Sequence, residues 1–251
     1  MRAGRWSFHS LRGRVLPGVA AVAVIISAPA AIAQIAERIG DDTVRFFADA
    51  QARENRLPSM ALVEPKPRLG RAPADFPVQP SFSAEGGKFV TTIEIEEGTS
   101  LYGTGQAAGP LLRNGRVTEA WNHDAYGYGD DSPKHLYTSH PWVLAVRADG
   151  SSYGVLADTT YRVEMDLTGG IVFRADGRPH PVIVIERDHP ADVVVALGEL
   201  TGTIEMPPRW AVGYHQCRYS YFPDDRVKEI AREFRERNLP ADVIWMDIDY
   251  M

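Results

Sequence analysis

Between Phe89 and Ile185 apolar residues come in short stretches broken by turn residues, several of them alternating at every second position, and after residue 190 that pattern ends. A period of two marks half-buried strands, so this part of the chain has to bury one face of several short strands against another layer. Phe89, Thr91, Ile93 and Ile95 alternate with Val90, Thr92, Glu94 and Glu96. Tyr161, Val163, Met165 and Leu167 alternate with Arg162, Glu164 and Asp166. The apolar runs 142–146 and 153–157 flank Asp149 and Gly150, a hairpin signal. Runs at 171–173 and 182–185 are separated by Asp176 and Gly177. Many short strands joined by tight turns predict a β-sandwich.

The later pattern is helical. Val193, Val194, Leu197 and Leu200 fall on one predicted helix face, with Pro190 at its start and Gly202 at its stop. Met206, Pro207 and Pro208 form a boundary. Residues 210–214 then read as a strand, and a helix begins at Asp224 and Asp225, acids that suit the positive end of its dipole. Its apolar face is Val227, Ile230, Ala231 and Phe234, and Asn238 and Pro240 end it. Residues 242–246 read as a second strand running directly into Asp247. Strand, helix, strand is a βαβ unit, the crossover that consecutive parallel strands require. Polar residues gather at the C-terminal strand ends, His215, Arg218 and Tyr219 on the first and Asp247 and Asp249 on the second. In parallel α/β folds that edge carries ligand chemistry.

The N-terminus reads as an address. Arg2, Arg5, Arg12 and Arg14 precede an apolar stretch, residues 15–26, and Ala31, Ile32 and Ala33 form an A-x-A site, the three parts of a secretory signal peptide. The stretch is shorter than the ~20 residues that span a bilayer. The expectation is export, periplasmic or extracellular, with no membrane attachment after cleavage behind Ala33. The expected organisation is a signal peptide at 1–33, an N-terminal segment or linker at 34–84 with a proline-rich run, a sandwich at 85–203 and a further domain from 207 to 251. With 27 basic against 33 acidic residues, the chain lacks the basic surplus that a nucleic-acid binder needs. Its single cysteine, Cys217, excludes an intrachain disulfide and a multi-thiolate zinc site.

Three places carry candidate chemistry. Asp247 and Asp249 flank Ile248 at a strand end, where alternation puts both on one side. Two such carboxylates bind sugar hydroxyls, hold a metal or do acid–base work; equally, one of them caps the following loop. His215, Arg218 and Tyr219 suit a polyhydroxylated ligand, while Arg218 paired with Asp249 as a structural ion pair is the other reading. The stretch 121–131, with Trp121, Asn122, His123, Asp124, Tyr126 and Tyr128, is too polar for a core strand and too aromatic for a plain linker, which fits either a binding loop or an ordered surface loop. No EF-hand spacing accompanies Asp130 and Asp131, and the glycines at 103 and 105 lack the dinucleotide-binding pattern. No metal and no cofactor are expected.

Together these residues resemble glycoside hydrolase family 31, the retaining α-glucosidase and α-xylosidase group. Tyr102, Gly103, Gly105 and Gln106 with Gly109, Pro110 and Leu111 are similar to its Y-G-x-G-E…G-P-L segment. Trp121, Asn122 and Asp124 with Ser139 and Pro141 are similar to its W-N-x-D…S-x-P loop. The stretches 208–218 and 242–251 are similar to its first two barrel strands. The resemblance implies a galactose-mutarotase-like β-sandwich followed by the truncated start of a (β/α)8 barrel. It also implies that Asp247 and Asp124 bind the same sugar, that Tyr219 stands where a pocket tryptophan is usual, and that His215, Arg218 and Asp249 support the site. Gln106 replaces the usual glutamate. The family's nucleophile and acid/base are aspartates on later barrel strands, so no catalytic residue is expected within this chain. The implied activity is that of the N-terminal part of a retaining hydrolase of terminal α-linked sugars. The alternatives are a non-catalytic carbohydrate-binding sandwich module and an α-xylosidase or other α-glycosidase specificity.

Overall fold

The computed structural model describes residues 34–55, 59–61, 68–70, 76–125, 129 and 136–248. The predicted signal peptide lies outside them. The described chain opens with β1 (Ile35–Gly40), β2 (Thr43–Phe47), the short helix α1 (Ala50–Glu54) and β3 (Arg68–Gly70). There follow β4 (Ser81–Glu85), β5 (Lys88–Ile93), β6 (Ser100–Gly103), β7 (Val117–Ala120), β8 (Trp142–Val146) and β9 (Ser152–Ala157). Then come β10 (Val163–Asp166), β11 (Ile171–Ala175), β12 (Val182–Arg187) and α2 (Pro190–Thr201). A 3-10 turn (Arg209–Val212), β13 (His215–Cys217), α3 (Asp224–Glu236) and β14 (Val243–Trp245) complete it.

Two antiparallel sheets form the sandwich, one ordered β3-β1-β2-β12-β9-β8-β6 and the other β4-β5-β11-β10-β7. Their inner faces meet in one core, with Val44, Phe46, Val155 and Val184 from the first and Ile93, Met165, Ile171 and Phe173 from the second. The alternation in β5 and β10 is the imprint of that core. The run from Val182 to Ile185 is apolar throughout because β12 is covered on both faces. Val182 and Val184 point into the sandwich, whereas Ile183 and Ile185 pack under Val193, Ala196 and Leu200 of α2. His189 caps α2, its Nδ1 accepting from Ala191 N at 3.2 Å, and Pro190 occupies the first turn, where a missing N–H costs nothing. Val194, assigned from sequence to the buried face, is exposed. It lies 100° round the helix from Val193, outside the stripe that meets the sheet.

Asp149 and Gly150 do form the turn between paired β8 and β9, with Gly150 at φ 92°. Asp176 and Gly177 do not close a hairpin, since β11 and β12 belong to different sheets and the segment between them crosses over. The stretch 34–84, expected to lead into the sandwich, supplies four of its strands.

In the C-terminal segment β13 and β14 pair in parallel, His215 opposite Val243 and Cys217 opposite Trp245, with α3 as the crossover. The βαβ unit is as the sequence predicts, but its strands are shorter and shifted. Residues 210–214 are expected as a strand, but 209–212 form the 3-10 turn and pairing begins only at His215. The second strand ends at Trp245 rather than continuing into Asp247.

Candidate functional site at the strand ends and the sandwich loop

At the C-terminal end of the parallel pair, Cys217 Sγ lies 4.0 Å from Asp247 Oδ2. Asp247 adopts φ 62°, and its Oδ1 accepts from Ile248 N at 2.7 Å. Aspartate tolerates this left-handed conformation through such local hydrogen bonds. The alternation that would place Asp247 and Asp249 on one side therefore stops at Trp245; Asp249 itself, and with it any pair with Arg218, lies outside the described residues. His215 Nδ1 accepts from Trp245 Nε1 at 3.2 Å, which leaves the proton of a neutral imidazole on Nε2. That Nε2 is buried without a partner among the described residues. Gln216 accepts from Tyr214 Oη at 2.7 Å and donates to Tyr221 Oη at 2.9 Å. Arg218 and Tyr219 are exposed, and Arg218 has no ion pair among the described residues.

The sandwich contributes the loop that carries Asp124. Its Oδ1 accepts from Tyr137 Oη at 3.1 Å, and the same hydroxyl accepts from Ala125 N at 3.2 Å. Tyr137 is held in turn by Gln106, whose Oε1 accepts from Tyr137 N at 3.1 Å. Gln106 N donates to Thr138 O at 2.9 Å and Gln106 O accepts from Leu136 N at 3.0 Å. Asn122 Oδ1 accepts from both Ser139 N and Ser139 Oγ, at 2.9 and 2.6 Å. Two amide side chains thus clamp the two arms of the loop. Each acts through its oxygen, so Gln106 in place of a glutamate keeps the acceptor and gives up only the charge. At the loop's base, burial raises the Glu119 pKa, but hydrogen bonds from Arg162 and His123 outweigh it and hold the carboxyl below its ordinary range.

The structure brings together His215 with Trp245 and Cys217 with Asp247 in one cluster, and Asp124 with Tyr137 and Gln106 in another. Among the described residues no hydrogen bond, ion pair or cavity connects Asp124 to Asp247. No group of three metal-ligating side chains forms among them either. Tyr137, the hydroxyl that orients Asp124, was not singled out from sequence. Its signal was its place two residues before Ser139, inside the returning arm of the loop.

An antiparallel sandwich that leads into a parallel βαβ unit with polar residues at its C-terminal strand ends defines a class, the sandwich-fronted α/β proteins. Within it the match is specific. The family model described as the glycosyl hydrolase 31 N-terminal galactose mutarotase-like domain matches residues 51–166, and that of the glycosyl hydrolases family 31 TIM-barrel domain matches residues 204–251. The chain belongs to glycoside hydrolase family 31. It is 39% identical over 160 residues to "Alpha-glucosidase 2" of Bacillus thermoamyloliquefaciens, covering 62% of this chain and 20% of that protein. It is 32% identical over 163 residues to an alpha-glucosidase of Mucor javanicus, covering 64% of this chain and 18% of that one. The chain thus spans about a fifth of the length of these curated relatives. A crystal structure of a family 31 alpha-glucosidase from Bacteroides thetaiotaomicron aligns with TM-score 0.62 at 50% identity, covering 67% of this chain and 29% of that one. A Flavobacterium johnsoniae GH31 dextranase, solved with glucose, shares the fold with TM-score 0.73 at 24% identity, over 87% of this chain and 31% of that one.

Proposed function

We propose that this chain is the N-terminal part of an exported retaining hydrolase of terminal α-linked sugars, α-glucosidase-like in its chemistry. The observation that carries this reading is the parallel β13–β14 pair with Asp247 at its C-terminal edge, where barrel enzymes place ligand-binding groups. In this reading Asp247 and Asp124 hydrogen-bond the hydroxyls of one sugar and Tyr219 supplies an aromatic wall. Support comes from the ordering around each aspartate. Asp124 is aimed by Tyr137 Oη, and Asp247 is held by its own bond to Ile248 N. His215 is locked through Trp245, and in this reading it supports the site together with Arg218 and Asp249.

Retaining hydrolysis needs a nucleophile and an acid/base with carboxyl groups about 5–5.5 Å apart. By the family resemblance both belong to barrel strands beyond β14, so residues 34–251 bind and orient without breaking the bond. No cofactor enters. The experiment is hydrolysis of an aryl α-glucoside by the enzyme from the complete reading frame, with the product anomer followed by NMR. Release of the α-anomer first supports the reading; an inverted product or no turnover of any α-glycoside contradicts it. Export is tested separately: mass spectrometry of the mature protein is expected to find Gln34 at the N-terminus, and a retained Met1 would refute it.

A further inference from the structure

A cavity of about 390 Å³ opens on the sandwich, at the base of the loop that carries Asp124. It is lined by Trp121, Asn122, Ser139, Thr159, Thr160 and Tyr161 among others, and neither Asp124 nor Asp247 reaches it. Its volume is that of a small-ligand site. We propose that it is a second carbohydrate site, which takes one or two pyranose rings of an oligosaccharide apart from the pocket assigned to Asp124 and Asp247.

The aromatic walls argue first. Trp121 is 50% and Tyr161 37% exposed, although rings of this size gain most from burial. Tyr161 is nevertheless held in place. Gly177, at φ 85°, lies so close that a Cβ there would come within 2.9 Å of the Tyr161 ring, so the ring rests on bare backbone. Two aromatic surfaces of this kind suit the C–H faces of a pyranose.

The polar groups argue second. Asn122 Oδ1 is used twice by Ser139, which fixes the amide's orientation and leaves both Nδ2 hydrogens without a partner among the described residues. That is a preorganised pair of donors on the cavity lining. Thr159 Oγ1 accepts from Tyr161 N at 3.2 Å and keeps its own proton to donate, while the exposed Thr160 hydroxyl is uncommitted. Donors and acceptors are therefore both on offer, as a sugar hydroxyl requires.

Charge argues third. No ionisable carboxylate, ammonium or guanidinium is among the described lining residues, which disfavours a phosphorylated or sulfated ligand and favours a neutral polyhydroxylated one. The choice of an α-glucan as probe rests on the function proposed above; the existence of the site does not.

The test is affinity electrophoresis of the enzyme from the complete reading frame through gels containing soluble starch or dextran. Tyr161→Ala removes one wall, and Thr160→Trp, at an exposed position with no interactions to lose, fills the cavity without touching the core. The inference predicts that both variants migrate with glucan affinity weakened about tenfold, the loss of one good aromatic contact, whereas Asp247→Asn stays retarded. Wild-type mobility in both cavity variants, or retardation lost only in Asp247→Asn, would overturn it and leave the assigned pocket standing. Absence of retardation in either glucan by an enzyme that still cleaves an aryl α-glucoside would overturn it as well, because the function would then hold without the second site. Retardation abolished by an added unrelated polypeptide but not by free oligosaccharide would show a protein-docking groove and contradict it.

Discussion

His180 has been taken out of water by the sandwich. Its ring is 4% exposed and meets Phe89 edge-on at 4.9 Å, and its Nε2 finds no partner among the described residues. Burial lowers its pKa to about 4, against a small opposing pull from the Arg178 carbonyl. In the unfolded chain the ring protonates near its ordinary 6.5, so between the two values the unfolded state binds more protons. Stability is therefore complete above pH 6.5 and declines as the pH falls towards 4, by up to ~3 kcal/mol from this residue. Urea titrations of 34–203 at pH 7.5 and 4.5 are expected to show that decline, and His180→Phe is expected to reduce it. An equal pH dependence in wild type and variant would contradict the assignment. At the same scale Gln106 shows what a sequence comparison alone leaves open. A glutamine in place of a glutamate loses the charge, and only the structure shows that the oxygen holding Tyr137 N is retained.

The elements that were legible are those whose burial follows a single period. β5, β10 and the β8–β9 hairpin were written in alternating apolar residues because one face of each meets the sandwich core. β1 and β2 were not. Glu37 and Arg45 sit directly opposite each other across that hairpin and both are buried, 3.4 Å apart, with Arg53 from α1 2.7 Å from the same carboxylate. Charges on a buried sheet face made the stretch read as mixed, although Gly40 at the end of β1 and Asp41 and Asp42 between the strands are turn residues. Arg45→Met is expected to cost ~3 kcal/mol, because it takes the fully buried cation from the buried Glu37 carboxylate and leaves that charge to the partly exposed Arg53, whereas Glu37→Leu combined with Arg45→Met is expected to recover most of it. Thermal melting of the three proteins checks this; a single variant as stable as wild type would mean that Arg53 alone satisfies Glu37. In the C-terminal segment the period was right and the register was not. Trp210 and Val212 are apolar yet exposed, in a 3-10 turn that no core encloses, so hydrophobicity there did not mark a strand.

For the molecule as a whole, the sandwich and the βαβ unit differ in how they are satisfied. The two sheets bury a common core between them, and α2 covers the outer face of β8, β9 and β12. The βαβ unit has two short strands, and α3 buries none of its residues. Met206 is 92% and Phe222 80% exposed, and Trp210, Tyr219, Trp245 and Ile248 are exposed with them. Apolar surface on that scale, beside strands with unpaired edges, drives association. Residues 34–203 are expected to be monodisperse by light scattering, and residues 34–251 to aggregate or express poorly. Equal behaviour of the two would show that the βαβ unit is self-sufficient. The candidate site was legible to the same degree as the elements carrying it. Asp124 and Asp247 were found by the residues around them, but the loss of alternation after Trp245 could not be read, since the left-handed turn at Asp247 has no glycine to announce it.

The role proposed for Asp247, binding the sugar of a glycosidase reaction, is measured most directly by kcat/KM for an aryl α-glucoside. Asp247→Asn, in the enzyme from the complete reading frame, keeps the side chain's shape and an acceptor for Ile248 N while removing its charge. If the carboxylate holds a sugar hydroxyl in the transition state, kcat/KM falls by the equivalent of about 2–4 kcal/mol. An unchanged kcat/KM in a correctly folded variant would contradict the assignment.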